Sequence, residues 1–86
     1  MHLDYKQPDF YHFSEDSTRL VAIATEHVPN AHRTLDLCAG SGIIGIEYAL
    51  RNTVSEIHFS ELQKEFRDSL SFNQKFLKNI LNLNCS

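Results

Sequence analysis

The sequence predicts an α/β fold in which helices alternate with parallel strands, and two observations carry this prediction. Within residues 34–46 the hydrophobic pattern changes from alternating leucines to an isoleucine-rich helical pattern, with glycines at the change. Apolar and polar residues alternate again from Val54 to Phe59. Two strands joined by one helix are expected to run parallel, because the helical crossover returns the chain to the same end of the sheet.

The first predicted elements are an irregular arm and a helix. Residues 1–13 mix polar residues with four aromatic rings, which either cover a ligand or pack against the domain. Residues 14–17 have the composition of a helix start, because serine and aspartate cap free amides and acidic residues favour the positive end of the helix dipole. Pro29 follows Val28 and is expected to end this helix.

The first strand, the helix after the glycines and the second strand follow in that order. We predict the strand at Arg33–Cys38, the helix from about Gly42 to Arg51, and the second strand at Val54–Phe59. The helix between the strands is apolar nearly all round, so it is expected to be largely buried against the sheet.

A long third helix is predicted to begin after Ser60 and to reach Leu81. The spacing of Ser60 and Gln63 matches a capping box, in which each side chain satisfies a backbone amide of the other residue. The helix carries two apolar ridges, one formed by Leu62, Phe66 and Leu70 and the other by Phe72, Phe76 and Ile80. Two ridges are more than one neighbouring element would need.

No closing element is predicted after Leu81, so the expected order is helix-strand-helix-strand-helix. Two parallel strands alone would expose an unpaired ladder on each side, whereas parallel sheets are normally larger and covered on both faces. We therefore interpret residues 14–86 as the opening, incomplete portion of a Rossmann-like domain of a longer protein. Its open sheet edges would pair with further strands or allow self-association.

Composition excludes several functions. The net charge is −3 and the Lys and Arg residues do not cluster, which argues against a nucleic-acid surface formed by this chain alone. Two cysteines fit no disulfide framework and indicate a reducing, cytoplasmic setting. No apolar run could span a membrane, the N-terminus lacks the regions of a signal peptide, and the histidines and cysteines show no metal-ligand spacing.

Three features converge on a nucleotide-like ligand. Asp36 lies on the first strand, the glycines at 40 and 42 allow a backbone turn close to a ligand, and Glu61 follows the second strand, 21 residues after Gly40. An acidic residue at that place can accept hydrogen bonds from both hydroxyls of a ribose. Two alternatives remain: Asp36 could cap amides of the turn, and Glu61 could be a solvated residue in the first turn of the third helix.

A dinucleotide is the first competing ligand, because residues 40–45 fit the pattern G-x-G-x-x-G. Two observations weaken this interpretation. An arm and a helix precede the first strand. An ionised Asp36 would also repel a pyrophosphate, whereas it suits a cofactor that carries an amino group and a sulfonium. No histidine is placed by a motif to activate Cys38 or Ser41 as a nucleophile.

The glycine turn resembles the first cofactor motif of class I S-adenosylmethionine-dependent methyltransferases. The family pattern is acid-x-glycine-x-glycine-x-glycine, and it is matched by Asp36, Gly40 and Gly42, with Cys38 in place of the first glycine. From about residue 10 to 75 the chain more specifically resembles the bacterial adenine-N6 methyltransferases that act on a valine tRNA. That likeness rests on residues 11–17, 35–44 and 61–63 and on Asn73.

The resemblance implies S-adenosylmethionine as the cofactor and assigns residues to it. They are Phe13, Ser14 and Ser17 at the methionine end, Asp36, Gly40 and Gly42 at the amino group and backbone, Cys38 and Ser41 in the same turn, Glu61 at the ribose, and Leu62 beside the adenine. The family reaction transfers a methyl group in line from sulfur to nitrogen, and it depends on positioning more than on a nucleophilic side chain.

The methyl acceptor is less well defined by the residues present. In amino-methylating relatives, an asparagine-proline-proline-aromatic motif holds the target nitrogen, and this chain has prolines only at positions 8 and 29. The resemblance implies the cofactor-binding part of an enzyme for adenine N6 in tRNA, inactive alone and meeting RNA through other segments. Alternatives are methylation of guanine in ribosomal RNA or of glutamine in proteins, and a non-catalytic binding or assembly module.

Overall fold

A computed structural model of the protein describes residues 15–81 and 84–86. Its elements are α1 (Glu15–His27), β1 (Arg33–Leu37), α2 (Ile43–Arg51), β2 (Glu56–Ser60), a 3₁₀ turn (Lys64–Phe66), α3 (Arg67–Leu81) and β3 (Asn84–Cys85). The strands form a parallel sheet in the order β1-β2-β3, which confirms the predicted Rossmann-like α/β fold. The predicted arm, with Phe13, and Ser14 lie outside the described residues.

The third helix begins later than predicted, and the predicted capping box of Ser60 and Gln63 is wrong. Residues 61–63 are not helical, and α3 begins only at Arg67 after the 3₁₀ turn. Gln63 has an extended backbone, with φ −77° and ψ 121°, and its side chain makes no capping hydrogen bond. The backbone amide of Gln63 is instead satisfied by the carboxylate of Glu61. This contact takes the place of the local serine–glutamine pair.

A third strand, which the sequence did not predict, covers the outer edge of β2. The amide of Phe59 donates to the carbonyl of Ser86 at 2.8 Å, and the amide of Ser86 donates to the carbonyl of Ile57 at 3.1 Å. The expectation of open ladders on both sides of two strands is therefore wrong for β2. Among the described residues, β1 remains without a partner on its outer side.

Within the described residues, the sheet has one face covered by helices and one face that no helix covers. The strand register places Thr34, Asp36, Ile57, Phe59 and Cys85 together on one side, which we call the covered face. Phe59 and Ile57 lie directly beneath Gly45 of α2 on this side. The opposite side, which we call the open face, carries Leu35, Leu37, His58 and Ser60.

The core lies under the covered face. It joins side chains of α2, β2, α3 and β3, namely Ile46, Ala49, Ile57, Leu77 and Cys85. Helix α1 packs against α2, where the Tyr48 hydroxyl donates to the carbonyl of Val28 and accepts from the amide of Ala31. The three helices of the described ranges thus lie on one side of the sheet and leave the carboxyl ends of β1 and β2 accessible. No helix within the described ranges is long and apolar enough to cross a membrane.

Candidate cofactor-binding site

A cleft of about 700 Å³ lies at the carboxyl ends of β1 and β2. Residues 37–41 of the β1–α2 turn form one wall, and residues 60–63 after β2 form the other. Ser17 of α1 and Phe66 of the 3₁₀ turn complete the lining, together with the first residues of α2. Its position follows from the fold, because parallel strands end at the same edge of a sheet and the loops that follow them meet there. The volume lies within the usual range of small-molecule sites.

The β1–α2 turn has three residues with left-handed backbone. Cys38, Gly40 and Gly42 have φ values of 54°, 58° and 83°. The amide of Gly42 donates to the carbonyl of Ala39 at 2.9 Å, which closes the turn immediately before α2 begins. Cys38 adopts a conformation that glycine tolerates much better than other residues.

Helix α3 packs against the β1–α2 turn and stabilises it. The sequence did not predict this contribution. A Cβ atom added at Gly42 would lie 2.7 Å from Cδ1 of Leu70, so a side chain there would require Leu70 to shift and would also be strained by the φ of 83°. The side-chain amide of Asn73, which is fully buried, donates to the carbonyl of Ser41 at 2.8 Å. One signal was visible in the sequence, since Asn73 is a polar residue at helical spacing between Phe66 and Leu77.

Glu61 links the two walls of the cleft. One carboxylate oxygen, Oε1, accepts from the amide of Gly40 at 2.7 Å, and the other, Oε2, accepts from the amide of Gln63 at 2.9 Å. An ionised carboxylate has about four acceptor positions, so each oxygen retains one for a ligand. Glu61 precedes the helical turn instead of lying within it, which does not fit the alternative interpretation as a solvated helix residue.

Asp36 lies behind the turn and does not line the cleft. Its Oδ2 atom accepts from the amide of Gly45 at 3.0 Å, which anchors the first turn of α2 to the end of β1. Burial is the largest influence on this carboxyl and raises its pKa, the hydrogen bond from Gly45 lowers the pKa, and the nearby charge of Glu61 raises it. The contact matches the alternative in which Asp36 satisfies a backbone amide, and an interaction with a cofactor amino group stays a prediction.

Ser41, in the wall of the cleft, carries a buried hydroxyl. The residue is only 5% exposed, and its Oγ has no hydrogen-bond partner among the described residues. A buried hydroxyl without a hydrogen-bond partner costs free energy. The groups that fit a polar nucleoside ligand are the spare acceptor positions of Glu61 beside the glycine turn.

The predicted site residues fall into three groups. Those that line the cleft are Ser17, Cys38, Gly40, Ser41, Glu61 and Leu62, of which Leu62 is 96% exposed. Asp36 and Gly42 support the turn without lining the cleft, and Phe13 and Ser14 lie outside the described residues. Cleft residues that the sequence analysis did not assign are Leu37, Ala39, Ile43, Ile44, Ser60, Gln63 and Phe66.

The fold also occurs in a larger protein of known structure. The crystal structure of YjhP from E. coli superposes on 86% of this chain with a TM-score of 0.58 and 17% sequence identity. The superposed part is 29% of the YjhP chain. Over the superposed part, the two chains share a Rossmann-like α/β fold.

The fold likeness and the cleft are independent observations. No protein-family model and no curated protein matches the sequence. At 17% identity the likeness to YjhP concerns the fold alone. Only the groups in the cleft therefore bear on the identity of a ligand.

Proposed function

We propose that this chain binds S-adenosylmethionine in the cleft and forms the cofactor-binding part of an N-methyltransferase. The observation that carries the proposal is the position of Glu61. Its carboxylate lies beside the glycine turn, is held there by two backbone amides, and keeps free acceptor positions for the hydroxyls of a ribose. When bound, the cofactor supplies an electrophilic methyl group on a sulfonium.

The other residues of the cleft suit the remainder of this ligand. Leu62 and Phe66 offer apolar surface for an adenine ring. The charges of Glu61 and Asp36 favour a cationic ligand over a pyrophosphate. This balance supports a sulfonium cofactor over the dinucleotide alternative.

Calorimetric titration with S-adenosylmethionine and S-adenosylhomocysteine tests the proposal. We expect micromolar binding, which Glu61→Gln weakens by roughly 10- to 100-fold, because hydrogen bonds to a charged group are worth about 1.5–3 kcal/mol. Glu65→Gln is the matched control, since Glu65 is exposed in the adjacent 3₁₀ turn and does not line the cleft. Equal losses in both variants, or no binding by the parent chain, would contradict the proposal.

For the methyl acceptor we propose adenine N6 in tRNA. The support is the resemblance of residues 10–75, including the serine-containing segment before α1, to enzymes of that specificity. RNA would be contacted by other segments, because this chain has a net charge of −3. We place the reaction in the cytoplasm, a setting that suits two free cysteines.

The acceptor is tested with protein expressed from the complete reading frame. Incubated with S-adenosylmethionine and bulk tRNA, it should produce N6-methyladenosine, detected by mass spectrometry of the nucleosides. Methylated guanine in ribosomal RNA or methylated glutamine in protein would favour the alternative acceptors. Residues 1–86 alone should transfer no methyl group, because they lack the motif that holds a target nitrogen.

A second candidate function, assembly through self-association, is favoured by the open edge of β1. Leu35 and Leu37 beside this edge are 59% and 68% exposed. Antiparallel pairing of β1 with a second copy, centred on Leu35, would place Thr34 opposite Asp36 of the other copy and Arg33 opposite Leu37. No like charges would face each other, so β1 can pair with β1 of a second copy without electrostatic repulsion between side chains.

Sedimentation at several protein concentrations tests this second function. We expect a concentration-dependent dimer that Leu35→Lys abolishes, because lysine on an edge strand opposes further pairing. Leu20→Lys is the matched control, since Leu20 is similarly exposed, at 51%, but lies on α1. A monomer at all concentrations, or equal effects of both substitutions, would overturn the assembly function.

A further inference from the structure

The start of helix α2 is held by side chains from two other elements. Gly42 is the N-cap residue, and it has no side chain to accept from the free amides of the first turn. The amide of Gly45 donates instead to Asp36 at the end of β1. The carbonyl of Ser41, immediately before the N-cap, accepts from the side-chain amide of Asn73 in α3 at 2.8 Å. Backbone groups on both sides of the N-cap are therefore bound by side chains.

These two contacts occupy the pair of backbone groups that would let α2 begin earlier. In an α-helix each amide donates to the carbonyl four residues before it, so an earlier start would join the amide of Gly45 to the carbonyl of Ser41. It would also require helical backbone at Gly42, where φ is 83°. The side chains of Asp36 and Asn73 therefore oppose the extension of α2 into the β1–α2 turn.

The conformation of this turn determines where the amide of Gly40 lies. Gly40 has a left-handed φ of 58°, and its amide donates to Oε1 of Glu61 at 2.7 Å. Ser41 follows Gly40 directly, so release of the Ser41 carbonyl would loosen the wall of the cleft where the carboxylate contacts it. Asn73 does not line the cleft, and it can affect a ligand only through the turn.

The contact between Asn73 and Ser41 requires a hydrogen-bond donor in the interior of the protein. Asn73 is 1% exposed and Ser41 is 5% exposed. A buried carbonyl that loses its donor costs free energy, which favours movement of the turn toward another partner. An apolar side chain offers no donor, and a carboxylate offers only acceptors. Substitutions that remove this donor should therefore alter the turn.

We propose that Asn73 is a positioning residue for the cofactor. By binding the Ser41 carbonyl it holds the turn in the conformation that sets the amide of Gly40 against Glu61. A wall that is already ordered raises affinity, because the ligand does not have to order it on binding. This inference rests on the proposed function, since the cofactor is the ligand whose affinity the turn sets.

Calorimetric titration with S-adenosylhomocysteine tests the inference, with Asn73→Ala as the variant and Ser69→Ala as its matched control. Ser69 is also buried, at 4% exposed, and lies one turn earlier on α3. Among the described residues it neither lines the cleft nor hydrogen-bonds to the turn. We expect about 10-fold weaker binding by Asn73→Ala and a change within about 2-fold for Ser69→Ala. Urea unfolding of both variants identifies conditions in which each is folded.

A spectroscopic measurement separates positioning from a role in stability alone. Protein in which only glycine carries an NMR-active nitrogen isotope gives three backbone amide signals, because the chain has three glycines. The signal that moves most in Glu61→Gln belongs to Gly40, whose amide donates to that carboxylate. The same signal should move upfield in Asn73→Ala, because a longer hydrogen bond deshields the proton less, and should stay in place in Ser69→Ala.

Two further measurements apply if Asn73→Ala does not fold. Asn73→Asp keeps the size of the side chain and, as a carboxylate, offers only acceptors, so we expect a similar loss of affinity. In the unsubstituted protein, bound S-adenosylhomocysteine should shift the NMR signal of the Asn73 side-chain amide, although this residue does not line the cleft. An unchanged signal would overturn the inference.

The outcomes distinguish this inference from the function on which it rests. Unchanged affinity in folded Asn73→Ala, an equal loss in Ser69→Ala, or an unmoved Gly40 signal overturns the inference while the cofactor site stands. Unsubstituted protein that does not bind S-adenosylhomocysteine overturns the proposed function, and the inference falls with it.

Discussion

The two faces of the sheet are built from the same strands but differ in how tightly they are packed. On the covered face, Ile57 is fully buried and Phe59 lies against α2. On the open face, Leu35 and Leu37 remain mostly exposed although they are equally apolar. The difference shows that alternation along a strand predicts which residues share a face, but not which face another element covers.

The largest expected consequence of this difference is on the free energy of unfolding, because substitutions on the covered face should destabilise the protein more than those on the open face. Leu77→Ala removes a fully buried side chain from beneath the covered face and leaves a cavity, so we expect a loss of about 2–5 kcal/mol in the free energy of unfolding. Urea unfolding followed by circular dichroism measures it.

The control for this prediction lies on the open face. Leu35→Ala changes the same side chain where it is 59% exposed, and the expected change is within about 0.5 kcal/mol. A comparable loss at both positions would mean that another element or a second copy covers the open face under the conditions of the experiment.

A smaller effect is expected at the closest approach between α2 and the sheet. A Cβ atom at Gly45 would lie 2.7 Å from Cε1 of Phe59 and 3.0 Å from Oδ2 of Asp36. Gly45→Ala should therefore lower the free energy of unfolding by about 1–3 kcal/mol, again measured with urea. Alanine is intrinsically favoured in helices by about 1 kcal/mol, so a gain of that size would show that the covered face has room to adjust.

The smallest effects are expected from two carboxyl groups, one on each face of the sheet. Their contributions to the free energy of unfolding should change in opposite directions with pH. On the covered face, burial raises the pKa of Asp36 above its ordinary value of 3.8. The folded protein then binds this proton more tightly than the unfolded chain, so stability falls as pH rises from 3.8 through the folded pKa. Asp36→Asn should remove this fall, as measured by urea midpoints across the acidic range.

On the open face, the hydrogen bond with His58 lowers the pKa of Glu56 below its ordinary value of 4.5. Stability from this contact is present above pH 4.5 and is lost as pH falls through the folded pKa. Glu56→Gln should remove that loss. Identical pH profiles for Asp36→Asn and Glu56→Gln would contradict the assignment of the two carboxyls to different environments.

The start of α3 shows where local sequence patterns failed. The capping-box spacing of Ser60 and Gln63 predicted a helix that would begin there. The amide of Gln63 is satisfied by Glu61, whose other oxygen bonds Gly40 21 residues earlier in the chain. A contact between two loops decides this boundary, and no pattern within four residues contains that information.

The two residues of β3 illustrate the same limit. Asn84 and Cys85 carry no strand signal of their own and become a strand only because β2 offers a free edge. Their pairing gives β2 a neighbour on each side. It also places Cys85 in the core, which makes its thiol unlike that of Cys38.

By itself the sequence determined the order of α1, β1, α2 and β2, because hydrophobic period and glycine position are local properties of the chain. It also determined that the glycine turn and Glu61 would lie close together, since the carboxyl ends of parallel strands share one edge of the sheet. Only the tertiary structure decided that Asp36 turns toward Gly45, that Asn73 supports the turn, and that none of the described helices covers Leu35 and Leu37. These features depend on the packing of elements that are distant in sequence. A local sequence pattern does not contain the burial and the contacts that this packing creates.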